Sequence, residues 1–204
     1  MLDVQYSDVL NGGMINSEKQ MIVEAARQRF SHYGYGKTTM AEIASDCEMS
    51  VGNLYRFYKN KEDIAVEGAR ACMTDKAETA ELAATEASTA MEGLHAYFLA
   101  RLRHMHGFVS QAPHMQELVQ LISGKHKDML QHFENRAIES IRTVVQSGID
   151  GSEIRDCDAA SIAADLYHAT NKYNMPMCVA APLDVLEDEL SSLLALIYLG
   201  LKSR

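Results

Sequence analysis

From Ser50 to Lys61 the chain has no carboxylate, and it carries Gly52, Asn53, Tyr55, Arg56, Lys59 and Lys61. The groups on offer are hydroxyls, an amide, a guanidinium and two ammoniums. Their chemistry is hydrogen bonding and charge pairing, not bond breaking. An Asn amide can hold an adenine edge by two hydrogen bonds, and an Arg guanidinium can hold guanine in the same way. Hydroxyls and ammonium groups suit phosphate oxygens, which fix position but carry no sequence information.

Other chemistry is not readable. There is no Gly-rich phosphate loop and no nucleophile-elbow serine, so no catalytic residue and no cofactor are expected. Metal binding on a helix wants two histidines four residues apart. His104 and His106 are two apart and point about 200° away from each other on a helix; His114, His126 and His132 are scattered, and no metal is expected. Cys47, Cys72, Cys157 and Cys178 form no CxxC pair and read as reduced thiols.

The elements that must position residues 50–61 are local. Thr39 with Glu42 three residues on is a capping box, and Met40, Ile43, Ala44 and Cys47 make one apolar stripe at helical spacing. Ser50 caps a second helix, whose expected buried face is Val51, Leu54, Tyr55 and Tyr58. The other face shows Gly52, Asn53, Arg56 and Lys59. A helix of about nine residues is roughly 13 Å long and fits a major groove. Two short capped helices with a tight corner are the layout of a helix-turn-helix. The same spacing also fits an ordinary helical hairpin.

The residue identities separate the two readings. Gly36, Thr38-Thr39, Ile43-Ala44, Ser50, Gly52, Leu54-Tyr55, the aromatic pair Phe57-Tyr58 and Lys61 stand in one register. That stretch resembles the DNA-binding domain of the tetracycline-repressor (TetR) family of transcriptional regulators. It departs at the corner, where Glu48 and Met49 replace the usual Gly and Val. The resemblance implies an all-α chain, with an N-terminal three-helix helix-turn-helix domain and a larger helical ligand-binding and dimerisation domain. The expected division is a flexible arm over 1–16, the DNA-binding domain over 17–61 and the larger domain over 62–204. Double-stranded operator DNA is then the partner. Gly52 allows close approach, Asn53 and Arg56 read bases, and Thr39, Ser50, Tyr55, Lys59 and Lys61 contact phosphate.

The rest of the chain agrees with that division. Net charge is −9, yet residues 17–61 hold seven Lys/Arg against five acids, while residues 62–204 hold 12 against 21. A basic head on an acidic body orients a molecule on a polyanion. No signal peptide and no apolar run long enough to span a bilayer is visible, so a cytoplasmic protein is expected, with no membrane partner. Ser17 with Gln20 opens a first helix with Ile22, Ala26, Phe30 and Tyr33 inward, and Gly34 ends it. Further helices are predicted from Lys61 to about Ala84, Met91 to Val109, Pro113 to Ser123 and 126–147, with Gly148–Gly151 as a turn. Two more start at Asp158 and Pro182. Leu186, Leu190, Leu193, Leu194, Ile197 and Leu201 line one side of the last helix. By the resemblance, the last two helices pair across a homodimer, and a small-molecule effector enters the body. Phe98, Leu102, Met105, Phe108, Met115, Phe133, Tyr167, His168 and Asn171 are the candidate lining, and they suit a plain core equally. The alternative to an effector-released repressor is a ligand-independent regulator or activator acting with a protein partner.

Overall fold

The computed structural model describes residues 3–110, 114–176 and 181–203, with side chains from Ser17 onward except that of Met115. The described residues are all-helical: α1 (Asp3–Tyr33), α2 (Met40–Asp46), α3 (Val51–Phe57), α4 (Lys61–Thr85), α5 (Ala90–Ser110), α6 (Met115–Lys125), α7 (Lys127–Asp150), α8 (Ala159–Thr170), a 3-10 turn (Asn171–Asn174) and α9 (Leu183–Leu201). Among them no helix is long and apolar enough to cross a membrane. Of the sequence expectations, Pro113 and Cys178 lie outside the described residues, as does the side chain of Met115.

The chain forms two compact units. The first comprises Met1–Ala71 and Ala112–Lys125; the second comprises Cys72–Gln111 and His126–Arg204. The first unit therefore holds α1, α2, α3, the start of α4 and, from much later in the chain, α6. Its core is Ile22, Ala26 and Phe30 of α1, Ile43 and Ala44 of α2, Leu54 of α3, and Cys47, Tyr58 and Ile64, with Leu118 and Leu121 of α6 packed on them. Burying each large apolar side chain contributes about 1.5–3 kcal/mol.

Three expectations need correcting here. The first helix begins at Asp3, not Ser17, and runs through Gly12-Gly13, because interior glycine costs about 1 kcal/mol relative to alanine without forbidding a helix. Tyr33 is 52% exposed rather than inward. It is the last residue of α1, before Gly34 turns the chain at φ +89°, and its ring lies 5.3 Å from the Arg29 guanidinium. Of α3 and the Tyr58 that caps its C-terminus only Leu54 and Tyr58 are buried, whereas Val51 and Tyr55 are 38% and 51% exposed. At about 100° per residue, Tyr55 stands a quarter turn or more from Leu54, and so short a helix buries only the centre of its stripe.

In the second unit α7 packs along α8, and α5 packs on α7 and α9. Leu94, Phe98, Leu102, Ile141, Val145, Leu166, Leu190 and Leu194 form its centre. The predicted turn at Gly148 is instead helix: α7 continues to Asp150 with Gly148 buried inside it. A Cβ there would lie 2.7 Å from the Ala90 Cβ and 2.7 Å from Ile154 Cδ1. Close approach, not turning, is what this glycine serves. After it, Glu153 and Ile154 both donate their N–H to the Gly148 carbonyl, and Arg155 N–H donates to Leu201 O at 2.8 Å, tying the end of α7 to the end of α9.

Candidate nucleic-acid interface

The recognition element is built from its caps upward. Thr39 is the N-cap of α2: its Oγ1 accepts from Glu42 N–H at 3.3 Å and donates to Glu42 Oε2 at 2.8 Å, and its own N–H donates to Glu42 Oε2 at 2.8 Å. The capping box thus forms as the sequence predicts. Hydrogen bonds from the Thr39 hydroxyl and backbone hold the Glu42 carboxyl below the usual carboxylate range, with the Arg29 guanidinium adding to them. Arg29 also pairs with Asp46 and lies 3.2 Å from Glu42, so it joins α1 to α2 rather than facing solvent alone. Ser50 caps α3 by accepting from Asn53 N–H at 3.1 Å, a bond that leaves its own O–H proton for another acceptor.

Between the two helices the corner passes through Glu48 at φ +53°. This is the left-handed region, where a Cβ costs about 1–2 kcal/mol and glycine costs nothing sterically. Glycine's greater freedom in the unfolded chain offsets part of that. Glu48→Gly is expected to raise the unfolding free energy by about 0.5–1 kcal/mol, read from urea denaturation. A fall in stability would mean that the Glu48 side chain contributes more than its backbone strain costs.

With Leu54 and Tyr58 inward, the opposite side of α3 presents Gly52 and Arg56, both exposed, and Asn53, half-buried. Nothing lies within 4 Å of a Cβ at Gly52, so the outer face of α3 is open there. Tyr55 and Lys59 are exposed beside them. Arg56 and Lys59 make no ion pair among the described residues, and the same holds for Lys37, exposed in the loop before Thr38-Thr39. Lys37 is absent from the residues expected from the sequence. Its signal was its place between the glycine and the Thr pair of the motif.

Lys61 is used differently. Its Nζ donates to the carbonyls of Tyr35 at 2.7 Å, Thr38 at 2.9 Å and Gly36 at 3.3 Å, and sits 4.4 Å from the centre of the Tyr35 ring. An ammonium has three donors, and all three are turned onto the loop between α1 and α2. From the other side, Gly36 N–H donates to Glu117 Oε2 of α6 at 2.6 Å, and Lys125 of α6 pairs with Glu62 at 2.9 Å. Thr38, buried, donates its hydroxyl to Gly34 O at 2.9 Å. The loop that precedes α2 is therefore held at the carbonyls of Gly34, Tyr35, Gly36 and Thr38 and at the Gly36 N–H.

The nine residues expected to line an effector site are divided. Phe98, Leu102 and Met105 are buried in the core of the second unit. Phe108, Phe133, Tyr167 and Asn171 are half-buried, and His168 is exposed. Met115 belongs to α6, in the first unit. None of them lines the cavity of about 540 Å³ bounded by Thr89, Met91, Glu153, Ala195, Tyr198, Leu199 and Lys202. Beside that cavity the Tyr198 hydroxyl is buried with no hydrogen-bond partner among the described residues, and burial pushes its pKa up. Among the described residues no cluster of His, Cys, Asp or Glu could hold a metal ion.

A capped helix with a carboxylate-free outer face, set on a small helical core, is the layout of a helix-turn-helix DNA-binding domain. Residues 22–67 match the model of the bacterial regulatory proteins of the tetR family, and residues 90–191 match that of the tetracyclin repressor-like C-terminal domain. The chain belongs to the TetR family of transcriptional regulators, which are not enzymes. It is 26% identical over 140 residues to the uncharacterized HTH-type transcriptional regulator YhgD of Bacillus subtilis (strain 168), covering 69% of this chain and 73% of that protein. Its fold is similar to that of a transcriptional regulator from Cytophaga hutchinsonii, at TM-score 0.73 and 20% identity over 90% of this chain and 98% of the other. It is also similar to FadR of Bacillus subtilis, solved in complex with stearoyl-CoA, at TM-score 0.63 and 18% identity over 86% and 96% of the two chains.

Proposed function

We propose that this regulator is a cytoplasmic homodimeric repressor that reads a palindromic operator and leaves it when a small apolar or amphipathic effector binds. The observation that carries the reading is the outer face of α3, where Gly52, Asn53 and Arg56 stand together with no carboxylate among them. In this reading Asn53 and Arg56 read bases, and Ser50, Tyr55, Lys59 and Lys37 take phosphates. The hydroxyl of Thr39 is committed to its cap, so its share is the placing of α2.

Pairing through α8 and α9 is supported by apolar surface. Leu196 and Leu199 of α9 are 68% and 79% exposed, while Leu186, Leu190 and Leu194 face the core. Apolar groups left out in this way favour a partner surface, and a two-fold dimer sets two α3 helices against two half-sites. Effector control is supported by chain connectivity. Between α5 and α7 of the second unit the chain contributes α6 to the first, where Glu117 holds the Gly36 N–H. The likeness of fold to FadR, which was solved with stearoyl-CoA, supports an effector of some apolar content.

Selection of bound DNA from a random pool tests the reading. A palindrome with half-sites about one helical turn apart or a multiple of it is expected; no enriched sequence at low salt would overturn it. On the selected site, Arg56→Ala should cost about 1–3 kcal/mol and relax preference at one base pair per half-site. Equal loss on every sequence would remove Arg56 from base reading.

A further inference from the structure

The second unit holds Arg101 in its interior and Lys76, half-buried, beside it, and neither pairs with a carboxylate among the described residues. Arg101 of α5 is 4% exposed. Its Nε donates to Asn174 Oδ1 at 3.1 Å and its Nη1 to the Tyr97 hydroxyl at 3.3 Å, and both acceptors are neutral. Its guanidinium lies between two aromatic rings, 5.5 Å from the centre of Tyr97 and 5.7 Å from that of Tyr167. Lys76 of α4 makes no hydrogen bond or ion pair among the described residues. Burial, with the positive charge of Arg101 second, holds its pKa down to about 8.

The carboxylate that could answer them is already taken. Glu81 of α4 feels the charge of Arg101, but it accepts from Arg136 at 2.7 and 2.9 Å and from the Ser140 hydroxyl at 2.8 Å. Of the other titratable groups, Cys72 acts on Lys76, Glu78 on Arg136 and Glu134 on Tyr167. Among the described residues Lys76 and Arg101 thus hydrogen-bond no carboxylate, Glu81 being bound by Arg136, inside a chain whose net charge is −9. A buried cation without a counter-charge destabilises a fold, and two that repel each other do so further. A neutral side chain at 101 could keep the bond to Asn174 without that cost. The arrangement is accounted for if an anion completes it.

We propose that Lys76 and Arg101 form the head-group end of the effector site, binding a small organic anion with an apolar body. Arg101 offers a planar donor set suited to a carboxylate. Lys76 adds a mobile point charge. The same stretch of α5 carries Phe98, Leu102 and Met105 for the apolar part. The proposal rests on the effector reading above and narrows it to one class of ligand.

Dodecanoate and dodecanol differ only at the head and serve as probes of the full-length protein by titration calorimetry. Dodecanoate is expected to bind at least about tenfold more tightly, the span of a hydrogen-bonded charge contact. An anion beside Lys76 raises its pKa. Near pH 8 binding should therefore take up protons, measured in two buffers of different ionisation heat. Lys76→Met should weaken dodecanoate about ten- to hundredfold, abolish the proton uptake and leave dodecanol unchanged. Arg101→Gln, which retains a donor toward Asn174, should give the same selective loss with the circular dichroism spectrum unaltered. Equal binding of the two probes, no binding of dodecanoate, or undiminished binding by Lys76→Met would each overturn the anion site. Release of selected DNA by a neutral compound, with dodecanoate inert, would do so while leaving effector control standing. Selective dodecanoate binding that never releases DNA would instead support the site and overturn effector control.

Discussion

Gly148→Ala is expected to lower the stability of the protein by about 2 kcal/mol, although the residue lies within a helix, where alanine is ordinarily the better choice. The propensity gain is about 1 kcal/mol. Against it stands overpacking, which costs about 1–3 kcal/mol. The upper end applies here because the added carbon meets neighbours on two sides. Ile154 Cδ1, at 2.7 Å, could swing aside, but the Ala90 Cβ at 2.7 Å is fixed to the first turn of α5 and moves only if the helix moves. Gly107, within α5, is the control, since a Cβ there would find nothing within 4 Å. Gly107→Ala should therefore raise stability by about 1 kcal/mol. Urea unfolding of the two variants should give shifts of opposite sign. A stabilised Gly148→Ala protein would show that α5 and α7 can part without cost.

Lys61→Met should remove about 2–3 kcal/mol from the first unit and weaken DNA binding equally on every sequence. The butyl stem is approximated, so the loss is that of the ammonium. Three charge-assisted hydrogen bonds and a contact with the Tyr35 ring disappear together. Hydrogen bonds to charged groups contribute about 1.5–3 kcal/mol each. The total is well below three times that, because the loop is half-open to water, which can take over the carbonyls. The sequence motif suggested a phosphate contact for this lysine, and the two roles part in salt dependence. Loss of a phosphate contact lowers the slope of log K against log salt by about one. The loop clamp predicts an unchanged slope and a weaker binder at all salt concentrations. A slope reduced by one, with stability unaltered, would return Lys61 to the phosphate backbone.

What could be read from the sequence was local. The caps at Thr39 and Ser50 were legible because a side-chain oxygen and the N–H it meets lie three residues apart. The outer face of α3 was legible because its period of exposure follows from helix geometry once Leu54 is inward. Tyr33, Val51 and Tyr55 were misread for the converse reason: the edges of an apolar stripe are decided by how far the neighbouring helices extend, which no spacing records. The role of Gly148 depends on Ala90 and Ile154, neither adjacent to it in sequence. The engagement of Lys61 depends on a loop 23 to 26 residues earlier. Arg101 and Lys76 are unremarkable as letters. Only their nearness in the fold, with Glu81 already engaged by Arg136, sets them apart.

The place of α6 bears on how such proteins can be recombined. The part that faces DNA is not a contiguous segment, since Gly36 N–H is met by a carboxylate 81 residues further along the chain. A crossover after Ala71 would join the head of one regulator to the body of another and leave behind Glu117, Leu118, Leu121 and Lys125. The transplanted head would keep α3 and lose the support of the loop in front of α2. Hybrids that carry residues 112–125 along with the head should be the viable ones, so specificity for DNA is inherited here in two pieces.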